Sequence, residues 1–184
     1  YSERYKKFAE YLSHEGFIVV VSDFPGHGTS LYHFEQGYFG KGNALDTLVE
    51  DIQRLRHIIT KRYEDLPYFM LGVDLGSLVL LKYAGVYGDY INGMILLGTC
   101  MKNSFYYQMK MIVDFNILLH GQMNHSRVIK KAIDLFLQRN LNGNYKMTNT
   151  KEVNLYMEDP LTDFVYTNQA YRDILDYIKY TSDE

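Results

Sequence analysis

Gly72-Val73-Asp74-Leu75-Gly76 is the segment whose residue types and spacing can do chemistry. A glycine, a side chain able to attack and a second glycine at every other position form the pattern of a nucleophile elbow, a strained turn from strand to helix. The reason for the glycines is steric. A side chain at either flank, Gly72 or Gly76, is expected to collide with the neighbouring strand or helix. The turn lifts the Asp74 side chain above the sheet and places the backbone N–H of Leu75 where an oxyanion forms. Asp74 then faces a helix N-terminus, which is expected to hold it ionised. A carboxylate can attack a saturated carbon and give an ester intermediate. It is a poor choice for cleaving an ester, because attack at the carbonyl gives an anhydride.

Other candidates are weaker. His27 lies between two glycines in Asp23–Ser30 (DFPGHGTS), as a structural turn residue or as a contact for a metal or substrate. Gly26-His27-Gly28 is no phosphate loop, since it lacks the G-x-G-x-x-G spacing and no helix follows directly. His33 and Glu35 can face one another, but a metal needs a third ligand. Ser30, Ser77 and Ser104 are stray hydroxyls, and Ser77 points wrongly for attack. Cys100 reads as a small core residue rather than a reactive thiol. No metal and no cofactor is expected.

The elements that must position the elbow follow from apolar periodicity. Residues 2–15 read as a helix, with Tyr5, Phe8, Ala9 and Leu12 on one stripe and Gly16 as C-terminal cap. Phe17–Ser22, Tyr68–Leu71 and Ile91–Leu97 read as short buried strands. A long amphipathic helix is expected over about 44–62, and a helix apolar on nearly all sides over 77–87. This alternation predicts a parallel sheet with helices on both faces, and ligands at the carboxyl ends of the strands. After Thr99 the chain reads as helices at 104–119, 127–139, about 150–157 and 168–179, with no strand between them.

Composition excludes whole classes. The chain has 184 residues, and 47% are hydrophobic, so it is a globular domain or part of one. Nineteen basic residues against 22 acidic give a net charge of −3, with no basic footprint for nucleic acid. The longest apolar runs fall far short of a membrane span. One cysteine leaves no internal disulfide and fits a reducing compartment, so a cytoplasmic location is expected. The opening Tyr1-Ser2-Glu3-Arg4, without Met, hints at a fragment.

The segment 1–100 resembles the monoacylglycerol lipase and lysophospholipase branch of the α/β-hydrolase superfamily, which includes serine aminopeptidase-like proteins. The residues that carry the likeness are Tyr5-Lys6-Lys7-Phe8-Ala9, the D-x-x-G-H-G-x-S loop Asp23–Ser30, Val49-Glu50-Asp51, and Leu66–Gly72 before the elbow. A weaker likeness extends to Asp159-Pro160-Leu161 and Phe164-Val165-Tyr166-Thr167. The resemblance implies an α/β-hydrolase fold, partial and mostly parallel, with core segments at 1–100 and a helical lid and the start of the return to the core at 101–184. It implies hydrolysis of a carboxylic ester of a small lipid-like substrate, with Leu75 N–H as an oxyanion donor. Phe105, Tyr106 and Phe115 are candidates to line an acyl-chain pocket, or simply to pack the lid.

The departures matter equally. The family elbow reads G-H-S-M-G, and here Val73, Asp74 and Leu75 replace its central three residues. The family's first strands are expected upstream of Tyr1, and those bearing the acid and the base His downstream of Glu184. Three readings stay open: a serine hydrolase impaired at its nucleophile, a non-catalytic protein that binds a lipid-like ligand or a partner, and an Asp-nucleophile hydrolase like epoxide hydrolases and dehalogenases.

Overall fold

The computed structural model describes residues 1–32, 35–102, 104–140, 155, 158–162 and 164–183. A single 3-10 turn, Ser2–Tyr5, leads into α1 (Lys6–His14). Then come α2 (Ala44–Arg62), β1 (Phe69–Val73), α3 (Leu75–Tyr87), β2 (Gly93–Leu97), α4 (Tyr106–His120), α5 (Arg127–Asn140) and α6 (Asn168–Asp183). The helix expected over about 150–157 lies outside the described residues, apart from the helical Leu155.

α2 begins where its sequence allows. Asn43 is extended, and its side chain accepts from the backbone N–H of Asp46 at the N-terminus. Ala44, Leu45, Leu48 and Val49 are buried on one face. α3 carries almost no polar face, so it suits a buried position, and Leu78, Val79, Leu80 and Tyr83 all lie in the core.

β1 and β2 pair in parallel, with Phe69 opposite Gly93 and Val73 opposite Leu97. α3 makes the crossover, as parallel pairing requires. The expected third strand is not formed. Residues 17–22 carry no regular structure, and no strand pairs with them among the described residues. Valine-rich composition favours an extended chain, but a strand exists only where a neighbour supplies the ladder.

Burial on both faces is also corrected. Met70 and Gly72 face α3 and are buried, while Phe69 and Leu71 on the opposite face are exposed. Ile95 and Leu97 of β2 are exposed as well. The stripe expected to bury α1 buries none of its residues, and Phe8 and Tyr11 are exposed. A second layer is what buries a second face, and none covers this one among the described residues.

α6 ties the helical half to the rest. Thr167 Oγ1 accepts from Ala170 N–H at 3.2 Å, which caps the helix, and Ala170, Tyr171, Leu175, Tyr177 and Ile178 are buried. α6 packs on α2, α3 and α4. One continuous apolar cluster therefore runs from Phe39 through α2 and α3 to α4, α5 and α6.

Candidate active site

β1 ends at Val73, and the chain turns through Asp74 with φ +50° and ψ −116° before α3 starts at Leu75. Asp74 and Asp65 are the non-glycine residues with positive φ among those described. An L-residue enters this region only where its surroundings hold it there. The turn is tight at its base: a Cβ on Gly72 would sit 2.6 Å from the carbonyl oxygen of Gly76. So Gly72 is required by the close approach of strand and helix. Gly76 is different, because a Cβ there meets nothing within 4 Å. The expectation that both flanks are sterically closed holds only for Gly72.

Asp74 N–H donates to Leu97 C=O at 2.9 Å, which continues the β1–β2 pairing past the strand end. Its carbonyl accepts from Ser77 N–H at 2.9 Å and from Ser77 Oγ at 2.6 Å. Its carboxyl makes no hydrogen bond among the described residues and does not cap α3. It leans instead on the neighbouring strand end, where a Cβ on Gly98 would lie 2.7 Å from Asp74 Oδ1.

The helix start is therefore not what would hold the Asp74 carboxyl ionised. Desolvation by the surrounding protein pushes the Asp74 carboxyl above the usual carboxylate range, and the charge of Arg4 opposes this. The helix N-terminus spends none of its donors on this carboxyl. Leu75 N–H, the candidate oxyanion donor, has no acceptor among the described residues, as the first turn of a helix allows. Its side chain packs on the core. Arg4 escaped the sequence reading, because nothing in its local pattern points to a residue 70 positions away.

The Asp23–Ser30 loop is a self-contained scaffold. Asp23 accepts from Ser2 N–H at 2.6 Å, Thr29 N–H at 2.9 Å and Thr29 Oγ1 at 2.8 Å. Burial raises its carboxyl, but these hydrogen bonds more than reverse that, and the pKa is lowered. The His27 ring bonds at Nδ1 with Pro25 C=O and at Nε2 with Tyr166 Oη, both at 3.0 Å. It stacks on Phe39 with centroids 5.6 Å apart. Burial lowers its pKa, so it is a neutral packing residue. Ser30 Oγ donates to the Phe24 and His27 carbonyls and is equally structural.

The remaining candidates scatter. Ser77 is fully buried and bound to Asp74 C=O. Ser104 is exposed, and Cys100 packs against the core. His33 lies outside the described residues, and Glu35 pairs with His125 Nε2 at 3.1 Å. No group of three His, Cys, Asp or Glu residues gathers as a metal site among the described residues. Of the lid aromatics, Tyr106 is wholly buried in the core and lines no open groove. Phe105 is exposed, and Phe115 lines a shallow groove of about 490 Å³ along α4 with Tyr107, Met111 and Leu118. The three do not converge on one cavity.

A strand, a strained turn and a helix with a bare glycine at the base make up the elbow, and the sequence match agrees. Residues 1–184 match the family model described as serine aminopeptidase, S33. The chain belongs to that family. It is thus an α/β-hydrolase resembling lipases and esterases.

Relatives and solved structures point the same way for this S33-family chain. It is 29% identical over 97 residues to protein phosphatase methylesterase 1 of Candida albicans, a match covering 52% of this chain and 25% of that protein. It is 29% identical over 94 residues to monoglyceride lipase of Mus musculus, covering 51% and 29%. Its fold superposes on a thermostable carboxyl esterase of Bacillus coagulans with a TM-score of 0.75 at 22% identity, covering 98% of this chain and 61% of that one. A lipase in its open form gives 0.81 at 18% identity, covering 100% and 62%. The monoacylglycerol lipase of Paleococcus ferrophilus gives 0.69 at 21%, covering 98% and 62%. The chain therefore spans about three fifths of the solved chains, and its matches about a quarter of the two relatives. No described helix is long and apolar enough to cross a membrane.

Proposed function

We propose that this chain is the central part of a hydrolase for carboxylic esters of small lipid-like molecules, impaired as a serine hydrolase because Asp74 stands at the nucleophile position. Residues 1–100 contribute the core and 101–184 the lid and the return to the core. The observation that carries the reading is the backbone of Asp74: φ +50° between a parallel strand and a helix, with Gly72 pressed on Gly76. That strained turn persists with a carboxyl group in the attacking place. Gly72 shapes the turn, Gly76 follows it, and Leu75 N–H offers the oxyanion donor. A carboxylate that attacks an ester carbonyl gives a mixed anhydride more reactive than the ester, so the serine route stalls. Monoglyceride lipase among the relatives supports the lipid-like ester. One free thiol supports a cytoplasmic location.

The test is Asp74→Ser in the whole protein, assayed on monoacylglycerol and short p-nitrophenyl esters. Esterase activity appearing over a silent parent supports the proposal. A silent variant that still folds overturns it in favour of a non-catalytic binding protein.

A second reading has one specific observation behind it: the Asp74 carboxyl makes no hydrogen bond among the described residues, and its side chain is exposed. In that reading an Asp74 oxygen forms an ester bond to a saturated carbon as the leaving group departs with the bond's electrons, and water then cleaves the ester. Turnover of an epoxide or haloalkane by the parent, lost in Asp74→Asn, would establish it.

A further inference from the structure

α4 is apolar on two sides, and among the described residues only one of them is covered. Its inner side buries Tyr106 and Val113 and packs on α5 and α6. Its outer side carries a row four residues apart: Tyr107, Met111, Phe115 and Leu119. Leu118 stands beside this row, and all five side chains are 58–81% exposed. A helix that is apolar all round belongs in an interior. The five open side chains present roughly 600 Å² of surface, taking about 200 Å² for each when fully open. A contiguous apolar patch of this size marks an interaction site.

The shape of the patch says what fits it. A second row, Lys110, Asp114 and Leu118, runs alongside the first. The groove of about 490 Å³ lies between the two. Rows four residues apart are the ridges by which helices pack into one another's grooves. The complement of this groove is an apolar helical ridge of the same spacing, and α4 itself carries one. Ridge and groove on a single helix make the face self-complementary, which is the condition for a twofold contact between identical chains. A twofold axis along the ridge puts each apolar ridge into the other copy's groove. It leaves the Lys110–Asp114 ridges at the two outer edges, an apolar centre with a polar rim. Those edges do not repel. Lys110 is shared between Asp114 and Asp176 at 3.6 and 3.4 Å, and Arg172 pairs with Asp114. Two such patches bury about 1,200 Å² together, the low end of a standard interface. A bilayer fits less well. Lys102 reaches the start of the row, over the Tyr107 ring at 5.9 Å. Asp114, however, borders its middle, and Lys110 and Arg172 beside it are held by carboxylates instead of reaching lipid phosphate.

We propose that this chain pairs with a second copy of itself through α4, with the Tyr107–Leu119 ridge of each copy in the groove of the other and the helices crossing at about −50°. None of these residues belongs to the elbow. The pairing stands whether or not the chain turns over an ester.

Analytical ultracentrifugation of the whole protein over micromolar concentrations tests this. A reversible dimer is expected. Met111→Glu and Phe115→Glu should each weaken it about tenfold or more, because a charge then enters the centre of the contact. Both positions are exposed in one chain, so each variant should fold, and thermal melts check that it does. Ile58→Glu, at an exposed apolar residue of α2 outside the patch, should leave the dimer unchanged. A monomer at every concentration, a dimer that neither α4 variant weakens, or one that Ile58→Glu weakens equally overturns the proposal. So does a monomer that binds phosphatidylcholine vesicles and loses that binding in Phe115→Glu, because the face then meets lipid. Met111→Glu keeps the test sound if Phe115→Glu fails to fold.

Discussion

The carboxyl of Asp74 rests against the bare α-carbon of Gly98. The two residues sit at the ends of adjacent strands, held in step by the Asp74 N–H to Leu97 C=O hydrogen bond. Gly98 has φ +68°, and its missing Cβ leaves the room that Asp74 Oδ1 fills. The backbone of the strained elbow is tied to α3 through Ser77, while its carboxyl is buttressed from the neighbouring strand and not from the helix start.

Gly98→Ala should displace the Asp74 carboxyl and cost about 1–3 kcal/mol, the sum of a left-handed backbone penalty and overpacking. Urea unfolding gives the cost. A structure of the variant with Asp74 unmoved would refute the buttress.

The two elbow glycines should behave unequally. Gly72→Ala drives a Cβ into backbone at 2.6 Å and is expected to cost about 3 kcal/mol. Gly76→Ala meets open space and should be neutral, or stabilising by up to about 1 kcal/mol through helix propensity. Paired melting curves decide, and equal losses would contradict the geometry.

His27 should make the fold acid-sensitive. Burial holds its folded pKa below the ordinary 6.5. Below pH 6.5 the unfolded chain then binds the extra proton more readily, so stability is fully present above that pH and falls as pH drops. His27→Phe should flatten this part of the profile. His27→Ala should cost about 2 kcal/mol or more through lost packing on Phe39 and Tyr166.

Asp173 should act in the opposite sense. Burial raises its folded pKa from 3.8 to about 6. Between those values the folded state holds the extra proton, so its contribution falls as pH rises through that window and is flat above it. Asp173→Asn should therefore stabilise the protein at pH 8, by up to roughly 3 kcal/mol, and change little near pH 4. Denaturant titrations at the two pH values check it, and a gain equal at both would refute it.

Much of the site was legible in one dimension. The G-x-D-x-G spacing located the elbow, because a turn this tight admits few residue types at its base, and Gly72 is one of them. The period of α2 located it at 44–62, because an amphipathic stripe repeats within the helix itself. The apolar runs located β1 and β2, and their alternation with helices favoured the parallel pairing, since a helix between two strands has the length that a crossover needs. These features are local, and the chain writes local features in neighbouring residues.

What tertiary structure decided was every relation between distant residues. Nothing near His27 announces Tyr166, 139 positions on, or shows that its ring will stack in the core. Residues 17–22 have strand composition, but pairing depends on a neighbour that composition does not specify. Tyr106 and Phe115 look alike as lid aromatics, and only packing buries one and exposes the other. Asp74 was expected to be held ionised by the helix start, and only the three-dimensional turn shows its carboxyl leaning on Gly98 instead. A sequence fixes which contacts are possible at short range; the packed chain decides which long-range contacts are made.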